Sequence, residues 1–269
     1  MTSIIACVNL KGGVGKTALA VNLAAHCGSS RKMKALLVDL DPQTNATFCC
    51  MTIEAWEAHA AANGTIADLL VQRYSSAEGK ERSADEVIVK DVFPNVDLVP
   101  SHLKLFTIDL DLGGATGRER KLKIGLGKVI DNYDIVICDC PPNLTIPTQN
   151  ALVLSTHYLV PVSPDFLSAL GVGLLLQRVK EFSRDTEHPL SLAGIVISRY
   201  GRPARHRDAQ VGTLRATFGN DVLDTVINER VTVSEAAEQQ QPLCLYSATS
   251  PAAEEFGDAC EEILGRMGL

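Results

Sequence analysis

The sequence predicts an α/β protein, a doubly wound and mostly parallel sheet flanked by helices. Three observations predict it. Short β-branched apolar runs are continuous rather than alternating, the mark of parallel strands buried on both faces. These runs alternate with helical patterns along the chain. Polar and turn-forming clusters at Lys11–Thr17, Asp39–Asn45, Asp139–Asn143 and Ser163–Phe166 follow the runs. In such folds ligands sit there, beyond the carboxyl ends of the strands.

Taken in order, the first strand spans Ser3–Val8 and passes through a Gly-rich turn into a helix over Thr17–Cys27. The second, Ala35–Val38, ends in Asp39, and the third, Val96–Val99, ends at Pro100. The fourth, Ile135–Cys138, ends in Asp139; Tyr158–Val162, Ala193–Ile197 and Val222–Val226 complete the set. Ser75–Asp85 is polar and aperiodic and reads as a surface loop. Gly113–Arg120 reads as a second loop, leading into a helix at Glu119–Ile130. No repeat or composition break divides the 269 residues, so a single domain over 1–269 is expected.

Composition bounds the function. With 46% hydrophobic and 21% charged residues the chain is not a disordered one. Its 25 basic and 32 acidic residues give a net charge of −7, so any nucleic-acid contact must come from a local patch. No apolar run reaches the roughly 18 residues of a transmembrane helix. The opening MTSIIACVNLKGG lacks a basic n-region and a cleavage site. The cysteines, Cys7, Cys27, Cys49, Cys50, Cys138, Cys140, Cys244 and Cys260, show no C-x-x-C spacing. They read as reduced thiols of a cytoplasmic protein. Cys138 and Cys140 flank Asp139, but strand alternation puts both on one face, as core.

Gly12-Gly13-Val14-Gly15-Lys16-Thr17 follows an apolar strand and opens a helix, the context a phosphate loop needs. Glycines let backbone N–H groups turn inward onto phosphate oxygens, and the helix N-terminus adds its positive end. Lys16 is placed to reach the β- and γ-phosphates and Thr17 to hold Mg²⁺. The strict pattern has glycine five positions before Gly15; here that position is Leu10, with Lys11 next to it. The form is therefore K-G-G-x-G-K-[ST], with a second lysine.

These residues resemble the ParA/MinD family of deviant-Walker ATPases, and its ParA branch in particular. Asp39-Leu40-Asp41-Pro42-Gln43-Thr44-Asn45 resembles the family's switch I, and Ile135–Cys138 with Asp139-Cys140-Pro141-Pro142 its Walker B strand and switch II turn. Pro161-Val162-Ser163-Pro164 and Ser234-Glu235-Ala236 with Pro242 resemble later family blocks. The resemblance implies an ATP- and Mg²⁺-dependent hydrolase that dimerises on ATP. Lys16 then acts in cis and Lys11 in trans, on the nucleotide of the partner subunit. Asp41 positions water, and Asp39, Asp41, Asp139 and Thr17 surround the metal. Nucleotide contacts run through Lys11, Gly12, Gly13, Val14, Gly15, Lys16, Thr17, Ala18 and Asn228. With the loop starting at residue 11, the short form without a helix-turn-helix module is expected.

Between Ser198 and Ala216 stand Arg199, Arg202, Arg205, Arg207 and Arg215, opposed only by Asp208. With Arg230, they suggest nonspecific contact with the phosphates of duplex DNA. The resemblance adds a cargo-linked, ParB-like stimulating partner and a nucleoid-associated place in the cytoplasm. Two positions depart from the family, which commonly carries basic residues where Glu229 and Thr232 stand. MinD-like membrane attachment is the alternative, but Glu254–Leu264 carries five carboxylates, which anionic lipid repels. A P-loop enzyme acting on a small substrate is a further alternative.

Overall fold

The computed structural model describes residues 2–71, 82–201 and 205–269. Chain order is β1 (Ser3–Cys7), α1 (Lys16–Ser29), β2 (Ala35–Asp39), α2 (Asn45–Phe48), α3 (Ile53–Asn63), α4 (Ile66–Val71) and α5 (Ala84–Val87). There follow β3 (Val89–Phe93), β4 (Val96–Val99), α6 (Ile108–Asp111), α7 (Lys121–Leu126), β5 (Ile135–Asp139), α8 (Ile146–Leu154) and β6 (His157–Val162). The last elements are α9 (Ser168–Asp185), β7 (Ser191–Tyr200), α10 (Arg205–Phe218), β8 (Val222–Asn228), α11 (Val231–Glu238), α12 (Leu243–Tyr246) and α13 (Pro251–Met267).

The strands form one sheet in the order β3-β4-β2-β5-β1-β6-β7-β8. Every pairing is parallel except β3 with β4. The expected doubly wound architecture is therefore present. Alternate residues of β1 feed two separate cores: Ile4 and Ala6 pack on one face, Ile5 and Cys7 on the other. Both faces are covered, so the strands read as unbroken apolar runs. Cys138 and Cys140 do share one face, and all eight cysteines are free.

Two elements differ from expectation. The strand β3 went unread because its sequence, VKDVF, is exposed at its charged centre, buried only at Phe93, and lies at an antiparallel edge. Its register is held by buried Asp97 on β4. That carboxylate accepts from Tyr133 Oη (2.6 Å), Lys90 Nζ (3.0 Å) and the Asp91 amide (2.9 Å). The single helix expected at Glu119–Ile130 is instead a 3₁₀ turn at Arg118–Arg120, the short α7, and a second 3₁₀ turn at Ile130–Asn132. Gly125 and Gly127 lower helix propensity there. Most of the loop expected at Ser75–Asp85 lies outside the described residues; its end begins α5, capped by Ser83.

At the far edge of the sheet, carboxylates of α13 accept from three amides of β8. Glu262 of α13 accepts from the Asp224 and Thr225 amides of β8 (2.9 and 3.0 Å), and Glu255 accepts from the Asn228 amide (2.9 Å). The apolar face of α13, including Phe256, Cys260, Ile263 and Leu264, is buried in the core. Among the described residues no helix is long and apolar enough to cross a membrane.

Near the end of α1, Gly28 lies against the β3–β4 turn; a Cβ there would meet Pro94 O at 2.2 Å and Val96 Cγ2 at 2.8 Å. Gly28→Ala is expected to destabilise the fold by about 1–3 kcal/mol through overpacking, read by chemical denaturation.

Candidate functional site

The site sits where β1 gives way to α1, at the carboxyl end of the sheet between β5 and β6. Gly13 and Gly15 take left-handed backbone (φ 72° and 84°), which turns the loop without the strain a Cβ would bring. Thr17 stands in the first turn of α1, and its hydroxyl donates to Asp139 Oδ2 at 2.7 Å. Lys16 is buried, and its ammonium donates to the Lys11 carbonyl at 3.2 Å. Burial pushes the Lys16 pKa down, while Asp139 and Asp41 pull against that shift.

Asp39 and Asp139 are direct cross-strand neighbours, both fully buried. Burial drives the Asp39 carboxyl up to about 7, although hydrogen bonds from Thr47 and the Asp41 amide favour its charged form. Burial, then the charge of Asp39, pushes Asp139 up as well. Their oxygens have different fates. Asp39 Oδ2 accepts from the Thr47 hydroxyl (2.7 Å) and amide (2.8 Å), and Oδ1 from the Asp41 amide (3.1 Å). Asp39 thus shapes the segment after β2. Asp139 Oδ1, by contrast, is buried without a partner. An orphaned carboxylate oxygen beside the Thr17 hydroxyl suits a cation that keeps most of its water, as Mg²⁺ does. No cluster among the described residues supplies an all-protein metal cage.

Asp41 is nearly buried, caps the Gln43 amide at 2.9 Å and faces the same cavity as the loop. That cavity, about 760 Å³, is lined by Gly12, Gly13, Gly15, Lys16, Thr17, Ala18, Asp41 and Asn228, with Phe48, Val233 and Phe256 as apolar wall. Lys11 lies elsewhere. Its side chain is 60% exposed, pairs with Asp165 after β6, and borders a separate cavity of about 360 Å³. Partial burial works against the Asp165 carboxylate, yet the Lys11 contact and further hydrogen bonds hold its pKa below the usual range.

A family model described as an AAA domain matches residues 2–192. The sporulation initiation inhibitor protein Soj of Bacillus subtilis is 32% identical over 263 residues, 98% of each chain. The chromosome partitioning protein ParA of Caulobacter vibrioides is 29% identical over 268 residues, 98% of this chain and 94% of that one. The chain belongs to the ParA family, a family of partitioning and positioning ATPases. Among solved structures, cobyrinic acid a,c-diamide synthase of Mycobacterium smegmatis, crystallised with an ATP analogue and magnesium, superposes with a TM-score of 0.82. It is 24% identical, covering 99% of this chain and 96% of that one, and the likeness shows the shared fold.

In this ParA-family chain several of the arginines suggested by the sequence are paired with acidic groups, and Arg199, His206 and Arg207 line one cavity with Lys11. Arg199 pairs with Glu229, and Arg230 with Glu255. Arg215 donates to the Asp224 carbonyl at 3.0 Å and lies near its carboxylate. It stands ten residues along α10 from Arg205, a rise of about 15 Å. Arg205 and His206 are exposed in the first turn of α10, Arg207 folds against Gly201, and Arg202 lies outside the described residues. Asn228 spends its side-chain amide on Glu255 (2.8 Å).

Sequence reasoning missed the residues that brace the site: Thr47 under Asp39, Ser101 on the Asp41 carbonyl (2.6 Å), Asp165 on Lys11, and Ser198 and Arg199 on the phosphate loop. Asp165 lies in the polar cluster Ser163–Phe166 and Arg199 in the arginine run, but spacing gave no signal of what either touches.

A carboxyl whose pKa is raised by folding stabilises most when the unfolded chain can also be protonated, and loses that contribution as pH climbs to its folded pKa. For Asp39 the window runs from the ordinary 3.8 up to about 7. Carboxyls held low, such as Asp97 and Asp165, act in the opposite sense but at the acid end. The contribution of Asp39 to the denaturation midpoint of the ligand-free protein is therefore expected to fall from about pH 4 to pH 7, read as a pH-dependent difference from Asp39→Asn, while His102 and His157, held low by burial, act the other way. A difference between the wild-type chain and Asp39→Asn that stays constant through this window would contradict the raised Asp39 carboxyl.

Proposed function

We propose that this chain is an ATP-driven partitioning or positioning switch. Two copies close over two nucleotides, the dimer binds duplex DNA without base readout, and a cargo-linked partner triggers hydrolysis and release. One observation carries the reading. The loop holds two lysines, and only Lys16 faces its own nucleotide cavity, while Lys11 points away toward Asp165. Positive charge on the transferring phosphate is what phosphoryl transfer most needs. A lysine outside its own site can supply that charge only to another copy.

The geometry supports a role for each residue. The inward N–H groups of the loop bind and orient the β- and γ-phosphates. Lys16 neutralises charge in cis. Thr17 and the orphaned Asp139 oxygen would hold Mg²⁺, which supplies charge neutralisation across the phosphates. Asp39 positions the segment that carries Asp41. Asp41, at the cavity wall, orients the attacking water. Asn228 and the apolar wall receive the base. DNA contact is centred on Arg205 and Arg207, which stand in the first turn of α10.

Duplex DNA binding should be measured at fixed low salt with ATP, ADP or no nucleotide, using Asp41→Ala to hold the ATP form. Binding is expected with ATP alone. The double variant Arg205→Ala/Arg207→Ala should make the slope of log K against log salt shallower by about two per protomer. ATP binding with no DNA binding in any state would overturn the DNA reading and bring forward the membrane and small-substrate alternatives.

Lys11→Ala is expected to keep the fold and nucleotide affinity but to lose stimulated hydrolysis, on the scale of a missing arginine finger, about 10³-fold or more. Unchanged turnover would remove the trans role of Lys11.

A further inference from the structure

We propose that Arg199 is a positioning residue of the phosphate loop, locked in place by Glu229, and that the pair sets how tightly the loop grips nucleotide phosphates. The proposal rests on the nucleotide reading above and goes beyond it, since the sequence suggests only a DNA contact for this arginine.

A loop that turns its N–H groups inward turns its carbonyls outward. A peptide unit is planar and trans, so the oxygen of one residue and the N–H of the next point in opposite directions. The Gly13 oxygen therefore fixes the Val14 N–H, and the Val14 oxygen fixes the Gly15 N–H. Both oxygens are capped from the end of β7. Arg199 Nη1 donates to Gly13 O at 2.7 Å, and the Ser198 hydroxyl donates to Val14 O. These two contacts hold two successive peptide planes with their donors facing the phosphate cradle. A charged donor on the carbonyl also polarises the peptide and strengthens its N–H.

Consecutive strand residues normally face opposite sides of a sheet. Ser198 and Arg199 break that rule: both reach the same loop. The backbone at Arg199 is left-handed, with φ 52°, a conformation a non-glycine residue adopts only when its surroundings hold it there. The loop in turn lies in direct contact with them. A Cβ on Gly13 would stand 3.6 Å from Arg199 Nη1, and one on Gly15 would stand 3.7 Å from Ser198 Oγ.

Glu229 supplies the lock. Its Oε1 accepts from both Nε (3.2 Å) and Nη2 of Arg199, leaving Nη1 for the loop. The Glu229 amide donates to Tyr200 O at 2.9 Å, so the carboxylate rides on a fixed backbone. A half-exposed ion pair alone carries little weight. Here the guanidinium fork is split between a carboxylate and a loop carbonyl, which an isolated surface pair is not.

The test is equilibrium binding of a fluorescent ATP analogue and its ADP counterpart, with Mg²⁺ and without DNA, by the wild-type chain and by Arg199→Ala, Arg199→Lys and Glu229→Ala, with Tm recorded for each. Arg199→Ala is expected to weaken both nucleotides about tenfold, as loss of a charge-assisted hydrogen bond does, at an unchanged Tm. Arg199→Lys, which can serve the carbonyl but not both partners, should recover part of the loss. Glu229→Ala, which frees the guanidinium, should weaken binding about threefold. Wild-type affinity in Arg199→Ala overturns the proposal. A fall in Tm that accounts for the lost affinity, with no recovery in Arg199→Lys, also overturns it. If the wild-type chain itself binds neither nucleotide, the nucleotide reading fails, and that result is distinct from both.

Discussion

Two buried carboxylates lie side by side on adjacent parallel strands, and the rest of the site is arranged around that fact. Taking a carboxylate out of water costs several kcal/mol unless charge and hydrogen bonds replace the solvent. Asp39 and Asp139 face each other across β2 and β5, so each also raises the cost for the other. The fold answers locally. Thr47 and the Asp41 amide satisfy Asp39, Thr17 satisfies one oxygen of Asp139, and Lys16 is drawn in beside them. One oxygen is left over. The orientation of α1, the path of the chain after β2 and the burial of Lys16 are all conditions for keeping this pair inside the protein.

Much of this was legible in the chain. The parallel core strands announce themselves because burial on both faces demands unbroken apolar runs, and Asp39 and Asp139 stand where those runs end. The phosphate loop is legible because its requirements are contiguous: a strand, glycines able to take positive φ, a lysine and a helix start. Edge strand β3 escaped because half of it faces water, and the helix expected at Glu119–Ile130 broke because glycine propensity outweighed its apolar pattern. The braces of the site are illegible in principle. Arg199 meets Gly13 across 186 residues, and Lys11 meets Asp165 across 154. Only the folded sheet brings them together.

Charge is where summing along a sequence misleads most. Five arginines against one aspartate between Ser198 and Ala216 look like a basic surface. Folding brings Glu229 to Arg199 and Asp224 to Arg215, and it brings Glu255 to Arg230. The basic run read along the sequence is thus divided among acidic partners that lie beyond it in the chain. The departure at Glu229, which looked like the loss of a basic residue from a binding surface, acquires a structural meaning: it is the carboxylate that organises Arg199.

The acidic stretch near the end of the chain has a similar second meaning. A parallel sheet that stops at β8 leaves a row of backbone donors facing outward, and another strand could dock there. Glu262 takes the amides of Asp224 and Thr225, and Glu255 that of Asn228. Burial works against their charge, but the backbone and arginine contacts hold both carboxyls below their ordinary range. The seal therefore stays ionised under mildly acidic conditions. These two glutamates thereby withdraw three β8 amides from pairing with the edge of another chain.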